Sequence, residues 1–462
     1  MKPIFPNACA FLAMTAQILF GTFNAPAAVP HQPNVILIMA DDFGFECVTA
    51  NGGQSYRTPN LDKLAATGMR FENCHVQPLC TPTRVQLMTG QYNIRNYVEF
   101  GHMQPESKTF ANVFQKAGYA TCIAGKWQLG VDPSLPKRWG FDEHCLWQFT
   151  RRPERYINPG LEINGKEMDY TKGEYGPDIV NDYALDFITR NRQKPFLLYY
   201  PMMLTHDPFT PTPDSADYKD SGVGRKLRDE KYFADMVAYA DKLVGKLSDK
   251  LDELKIRENT LIIFIGDNGT SRSITSQFRG KSYQGGKGQS TANGSHVPLI
   301  ANMPKTISAG RVNTNLVDST DFLITICDAA GLKIPSRWTI DGKSFWPQLK
   351  GEDGSPRDWI YSWYAPRNQQ VKHEFAQDVN YKLYRDGKFV NLQSDPEEKT
   401  SLATKSLSKD AVVAHAKLTK VLNQFEKARP ANLTAETKPV KENNRAGGRN
   451  KQKQITSEAE KL

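Results

Sequence analysis

Residues 34–39 (Asn-Val-Ile-Leu-Ile-Met) form an unbroken apolar run between polar neighbours, and residues 261–265 (Leu-Ile-Ile-Phe-Ile) form another. A run without alternation fits a strand covered on both faces, as in the middle of a parallel sheet. The first run leads to Asp41-Asp42 and the second into Gly266-Asp267-Asn268-Gly269. Further strands are predicted over 119–124, leading into Gly125-Lys126-Trp127, and over 196–200, leading to Thr205-His206. Helices are predicted over 60–68, with Gly68 as the stop signal, and over 107–117, closed by Gly118. Another spans 177–192, with Pro177 in its first turn. The longest is amphipathic: Phe233, Met236, Val237, Ala240, Leu243, Val244, Leu247, Leu251 and Leu254 recur at three/four spacing.

Strands alternating with helices predict an α/β fold, a large and mostly parallel central sheet sandwiched by helices. Ligands of such sheets bind beyond the carboxyl ends of the strands. Asp41, Asp42, Lys126, His206, Asp267 and Asn268 all fall at such ends. After about Trp346 the pattern changes to short aromatic-rich strands: 359–363, then a hairpin over 381–392 around Asp386-Gly387, then a helix over 410–427. The predicted organisation is a main domain over 31–345 and a smaller C-terminal α+β domain over 346–427 carrying a short antiparallel sheet. No internal repeat is visible.

Composition adds an address. Lys2 precedes an apolar run from Ala8 to Phe23, and Ala25-Pro26-Ala27 offers a small-residue cleavage site. Residues 1–27 therefore read as a secretory signal peptide, too short and interrupted for a membrane span. The expected protein is exported, periplasmic or secreted, with no stable membrane insertion. Six cysteines remain beyond Cys9, scattered without the spacing of a disulfide framework. The net charge is +9, but residues 427–462 hold nine Lys/Arg against four Asp/Glu, so +5 sits in that stretch. Residues 428–462, poor in large apolar side chains, are predicted to be a disordered basic tail. With the charge placed there rather than on a folded face, no nucleic-acid partner is expected.

The strand-end residues suggest chemistry. Asp41, Asp42, Asp267 and Asn268 bind through oxygen with no soft ligand among them, which suits Ca²⁺, or Mg²⁺ as the alternative, rather than zinc. Cys80 precedes Pro82, and 82–88 can form a helix with proline in its first turn. Cys80 would then sit at a helix N-terminus, where free N–H groups favour an anion, with Arg84 on the first turn. Lys126 and Lys287 lie in glycine-containing loops, and His206 follows a strand as a candidate general acid.

Cys80-Thr81-Pro82-Thr83-Arg84 with Thr89-Gly90 makes up a modification signature, and with it the chain resembles the type I, formylglycine-dependent sulfatases of the alkaline-phosphatase superfamily. Asp41-Asp42-Phe43-Gly44, Thr58-Pro59-Asn60-Leu61-Asp62, Gly125-Lys126-Trp127, Gly140-Phe141-Asp142 and Gly266-Asp267-Asn268-Gly269 carry the same likeness in family order. The resemblance implies an alkaline-phosphatase-like fold and a formylglycine made from Cys80 by a formylglycine-generating enzyme. It implies a cation held by Asp41, Asp42, Asp267, Asn268 and an oxygen of modified Cys80. Arg84 would support the formylglycine diol. Lys126 and Lys287 would bind sulfate oxygens, and His206 with Lys287 would protonate the leaving group. The implied activity is hydrolysis of a sulfuric ester, of a sulfated carbohydrate or an aryl sulfate.

Three positions depart from the family pattern. Gln128 stands where a histidine is usual, the candidate base for expelling sulfate, and an amide cannot take a proton at neutral pH. His75, His102 and His296 are candidates to replace it. Thr83 stands where serine is commoner, and 293–298 lack an arginine often found there. Two other readings use the same residues: a phosphodiester or phosphonate hydrolase, and a non-catalytic homologue that binds sulfated glycan.

Overall fold

The computed structural model describes residue 1 and residues 32–221, 227–366 and 370–434. The predicted signal peptide, beyond residue 1, and the tail from 435 onward lie outside the described residues. Sixteen strands occur among those described. Eight lead up to the second apolar run: β1 (Asn34–Ala40), β2 (Met69–His75), β3 (Ala120–Lys126), β4 (Glu143–Trp147), β5 (Gly160–Ile163), β6 (Lys166–Asp169), β7 (Phe196–Pro201) and β8 (Thr260–Gly266). A small ribbon, β9 (Thr275–Phe278) and β10 (Lys281–Gln284), precedes β11 (Leu299–Asn302) and β12 (Arg311–Asp318). The last four are β13 (Ile360–Tyr364), β14 (His373–Gln377), β15 (Tyr381–Tyr384) and β16 (Phe389–Asn391).

The central sheet has ten strands in the order β12-β2-β11-β8-β1-β7-β3-β4-β5-β6. Its middle, β8-β1-β7-β3-β4, is parallel throughout. β11 runs against both β8 and β2, and β5 runs against β4 and β6. The mostly parallel sheet is thus as the apolar runs require. Side chains of β1 alternate between two cores: Val35, Leu37 and Met39 enter one, Ile36, Ile38 and Ala40 the other. β8 divides in the same way. Both faces are buried, so neither strand has a polar side.

Helix Tyr232–Glu253 and helix Gly176–Arg190 cover one face. Helices Cys80–Thr89, Phe110–Lys116 and Asp321–Ala329 cover the other. The helix expected over 107–117 begins only at Phe110 because Thr109 and Asn112 form a reciprocal cap. On that second face the core continues into the antiparallel sheet β13-β14-β15-β16 and helix Lys409–Phe425. Arg429, within the stretch predicted as tail, lies 4.6 Å over the Trp363 ring and donates to the carbonyls of Ile94 and Tyr97. Among the described residues no helix is long and apolar enough to cross a membrane, and Cys47, Cys74, Cys80, Cys122, Cys145 and Cys327 are all buried and unpaired.

Candidate active site

Register brings the strand-end residues together. Ala40 pairs with Gly266 and Met39 with Pro201, so the three middle strands end side by side. The chain then locks: Asp267 N donates to Ala40 O at 2.9 Å, Asp41 N to Leu204 O at 2.8 Å, and Thr205 N to Asp41 O at 2.6 Å. Asp42 N donates to Asp267 Oδ1 at 2.9 Å. β3 delivers Lys126 to the same edge. Gly125 makes this approach possible: at φ +133 a Cβ there would lie 1.8 Å from the Pro201 carbonyl oxygen.

Cys80 is the first residue of its helix, two residues earlier than the sequence alone suggested, with Leu79 extended before it. Pro82 has no N–H and Thr83 N donates to the Leu79 carbonyl, so the N–H groups of Cys80 and Thr81 are the first-turn donors without intrahelical partners. Single ligand atoms of Asp41, Cys80 and Asp267 lie within 4.8 Å of one another, and so do those of Asp41, Asp42 and His206. Around them stand four cations. Lys126 Nζ donates to both Asp41 oxygens at 2.8 Å. Lys287 Nζ donates to Asp42 Oδ2 at 2.7 Å and to His206 Nε2 at 2.9 Å. Arg84 Nη2 donates to Asp267 Oδ2 at 2.8 Å, and its Nη1 to the Lys126 carbonyl at 3.3 Å.

The fourth cation, Arg155, was missed in the sequence. Its Nη1 donates to Asp41 Oδ2 at 3.1 Å and to the Met203 carbonyl at 3.3 Å, with the guanidinium 4.0 Å over the Trp147 ring. It sits in an irregular loop after β4 with no motif around it, and only a cation–aromatic pairing with Trp147 could have singled it out.

Every one of these charges is buried or nearly so. Burial opposes the Asp41 charge, yet Lys126, His206, Arg155 and Arg84 hold its carboxyl well below the usual range. Burial, and then the charge of Asp41, push Asp267 up to about 6. Burial raises the Cys80 thiol, and the Asp42 carboxylate holds the Lys287 ammonium above its ordinary value despite burial. Three carboxylates against four cations leave an enclosed positive excess, a setting for an anion. Asn268 donates to Asp42 Oδ1 at 2.8 Å, while its own Oδ1 is buried without a partner.

Gln128 lies against the nucleophile candidate: Cys80 Sγ donates to its Oε1 at 2.8 Å. His75 and His296 stack with ring centroids 5.1 Å apart, and His296 meets Phe45 and the Glu72 carbonyl, so these two are packed into a wall. His102 occupies a nearby loop, where Gly101 N donates to Thr81 Oγ1 and Met103 N to the Leu129 carbonyl.

Comparison with known proteins bears on what this arrangement is. Residues 33–332 match the Sulfatase family. The chain belongs to the sulfatase family. Residues 290–428 of this sulfatase also match the N-sulphoglucosamine sulphohydrolase C-terminal family. It is 32% identical over 371 residues to N-acetylgalactosamine-6-sulfatase of Canis lupus familiaris, covering 72% of this chain and 69% of that one. It is 31% identical over 392 residues to arylsulfatase A of Homo sapiens, covering 76% and 74%. Its fold is similar to Ps i-CgsB crystallised in complex with k-i-k-neocarrahexaose, with a TM-score of 0.70 and 26% identity over 87% of this sulfatase and 94% of that chain. The chain is a sulfatase enzyme, and the expected alkaline-phosphatase-like architecture is the one observed.

Proposed function

We propose that this sulfatase removes sulfate from a sulfated carbohydrate, using a formylglycine made from Cys80 and a divalent cation, Ca²⁺ or Mg²⁺. The observation that carries this reading is the meeting of Cys80 Sγ with the Asp41 and Asp267 carboxylates at one helix N-terminus, ringed by cations. The names of the N-acetylgalactosamine-6-sulfatase relative and of the oligosaccharide-bound neighbour support a sugar substrate.

The residues present fit a hard cation. Asp41, Asp42 and Asp267 are buried oxygen donors crowded enough to raise one of them, and the Asn268 carbonyl oxygen lacks any partner. These four side chains would hold the ion, with an oxygen on modified Cys80. Such an ion would supply Lewis acidity toward the ester and favour an ionised hydroxyl at neutral pH.

The protein's own groups do the rest. Lys126 and Lys287, freed from Asp41 and Asp42 by the ion, would hold the sulfate oxygens. Arg84, fixed by Asp267 and the Lys126 carbonyl, would orient the modified side chain at position 80. His206 Nδ1 is anchored 2.7 Å from the Asp207 carbonyl. Its Nε2 accepts from the Lys287 ammonium, so the Lys287–His206 pair would hand a proton to the departing sugar oxygen, with Lys287 supplying it. Gln128 would accept a hydrogen bond from position 80 without taking its proton.

On this reading the protein is exported after loss of residues 1–27, is converted at Cys80 by a formylglycine-generating enzyme, and carries its main and C-terminal domains on either side of residue 345. Two measurements test it together: the mass of the Cys80 peptide, and sulfate release from a panel of sulfated oligosaccharides. A lighter Cys80 peptide with release is expected. An unconverted thiol in protein from a converting host, without release, would overturn the proposal. Faster turnover of a phosphonate ester than of the matching sulfate ester would point to phosphorus instead.

A further inference from the structure

The loop that carries Lys287 is pinned from several sides. Lys287 N donates to the Thr270 carbonyl at 3.0 Å, just past the β8 turn. Gly288 N donates to the Pro78 carbonyl at 2.9 Å, two residues before Cys80. At Gly286 the packing is so close that a Cβ would lie 2.4 Å from the Asn293 side chain. The remaining tethers come from the C-terminal sheet. Lys382 Nζ, on β15, donates to the Ser290 carbonyl, and Lys372 Nζ, just before β14, donates to the Gly288 carbonyl at 3.4 Å.

Lys382 is an unusual tether. Its side chain is 1% exposed and is paired at 2.9 Å with Glu398, also 1% exposed. The second Glu398 oxygen accepts from Tyr384 Oη, and the ammonium lies 3.9 Å from the Phe375 ring centroid. Taking two charges out of water is costly, and apolar side chains of similar volume often stabilise a fold as well or better. An apolar residue could fill this space. It could not donate to the Ser290 carbonyl, which lies three residues from Lys287.

We propose that Lys382, held in line by Glu398, is a positioning residue for Lys287: the C-terminal sheet fixes loop 285–290 so that the Lys287 ammonium meets the leaving oxygen. This rests on the role given to Lys287 above. Glu398 aims the ammonium, the ammonium holds the carbonyl, and the carbonyl fixes the backbone from which Lys287 projects. The C-terminal sheet thereby belongs to the catalytic apparatus although none of its strands reaches the strand-end cluster.

The test uses the full-length enzyme as wild type, Lys382→Met, and the double variant Lys382→Met with Glu398→Gln. The single variant strands a buried carboxylate, whereas the double variant removes both charges at similar volume. Hydrogen exchange is followed at amides 287–290 and in β1. Sulfate release is followed from nitrophenyl sulfate, which needs no proton to leave, and from a sugar sulfate, which does. In the double variant, exchange at 287–290 is expected to quicken about tenfold while β1 is unmoved. The aryl-to-sugar rate ratio is expected to rise about tenfold, as a misplaced proton donor would cause. A merely structural role would lower both rates equally. Unchanged exchange at 287–290 overturns the clamp, and faster exchange with an unchanged ratio overturns its catalytic meaning. A wild type inert on both esters would count against the functional reading, and exchange would still decide the clamp.

Discussion

Two buried charge clusters in this molecule differ in whether they close on themselves. Every nitrogen of the Arg357 guanidinium has a partner: Nε reaches both Asp321 oxygens at 2.8 and 2.7 Å, Nη1 donates to Tyr92 Oη at 2.9 Å, and Nη2 donates to Thr320 Oγ1 and the Asp341 carbonyl at 2.9 Å. The strand-end cluster has comparable burial but leaves capacity over, in Asn268 Oδ1 and Arg84 Nε. Crowding is common to both: burial and Asp41 push Asp267 up to about 6, and burial and Asp321 push Asp318, beside Arg357, up to about 7. A knot that satisfies every group holds a fold together. One that leaves buried polar atoms unfilled has room for something that arrives later.

Cys80→Ser gives the sharpest contrast. A single hydroxyl cannot accept sulfate and then expel it, so sulfate release is expected to fall about 10⁴-fold or more, with stability changed by only about 1 kcal/mol. Rates near wild type would show that the open cluster works without the proposed nucleophile. Arg357→Met should do the reverse. Stranding Asp321 in the closed knot is expected to cost about 3–5 kcal/mol in denaturant unfolding, while activity per folded molecule stays close to normal.

Cation binding separates the clusters next. At a hundred times its dissociation constant, Ca²⁺ should stabilise the chelated protein by about 2.7 kcal/mol in thermal unfolding. The gain should vanish in Asn268→Ala and persist in Arg357→Met. A shift that survives Asn268→Ala would move the ion elsewhere.

The smallest effect expected is at His296, packed against His75 and Phe45. Burial pushes His296 down from 6.5 to about 4. Between those values the unfolded chain binds a proton that the folded one refuses, so stability falls as pH falls through that window. By pH 5 the His296 share of that loss should approach about 2 kcal/mol relative to pH 7, and His296→Gln should reduce the total loss by about that share in urea titrations. Equal losses in both proteins would mean that His296 is hydrated.

Much of this arrangement was legible beforehand, because fully apolar runs and the polar residues just after them are local signals. β1, β7 and β8 are such runs and β3 nearly so, and they deliver Asp41, His206, Asp267 and Lys126. The hairpin around Asp386-Gly387 was equally local. What escaped depends on distant partners. β2 and β12 have mixed patterns near the sheet edge, and β11 is a short apolar stretch whose direction nothing local declares, so its antiparallel insertion left no mark in the sequence. β14 begins amid exposed residues and alternates poorly. Arg155 and Lys382 are ordinary basic residues in sequence, and only folding discloses that each is sealed against a carboxylate. The helix carrying Cys80 starts two residues early because extended Leu79, not Pro82, sets its entry.

The 1% exposure of the Cys80 residue also orders events in the life of the chain. No enzyme can reach a sulfur sealed beneath β-strand ends and a helix, so on the proposed reading tailoring must happen while the polypeptide is still unfolded. Protein made where that machinery is missing would fold correctly, keep its thiol, and stay inert however long it is incubated. Activity would then record the history of synthesis rather than the integrity of the fold.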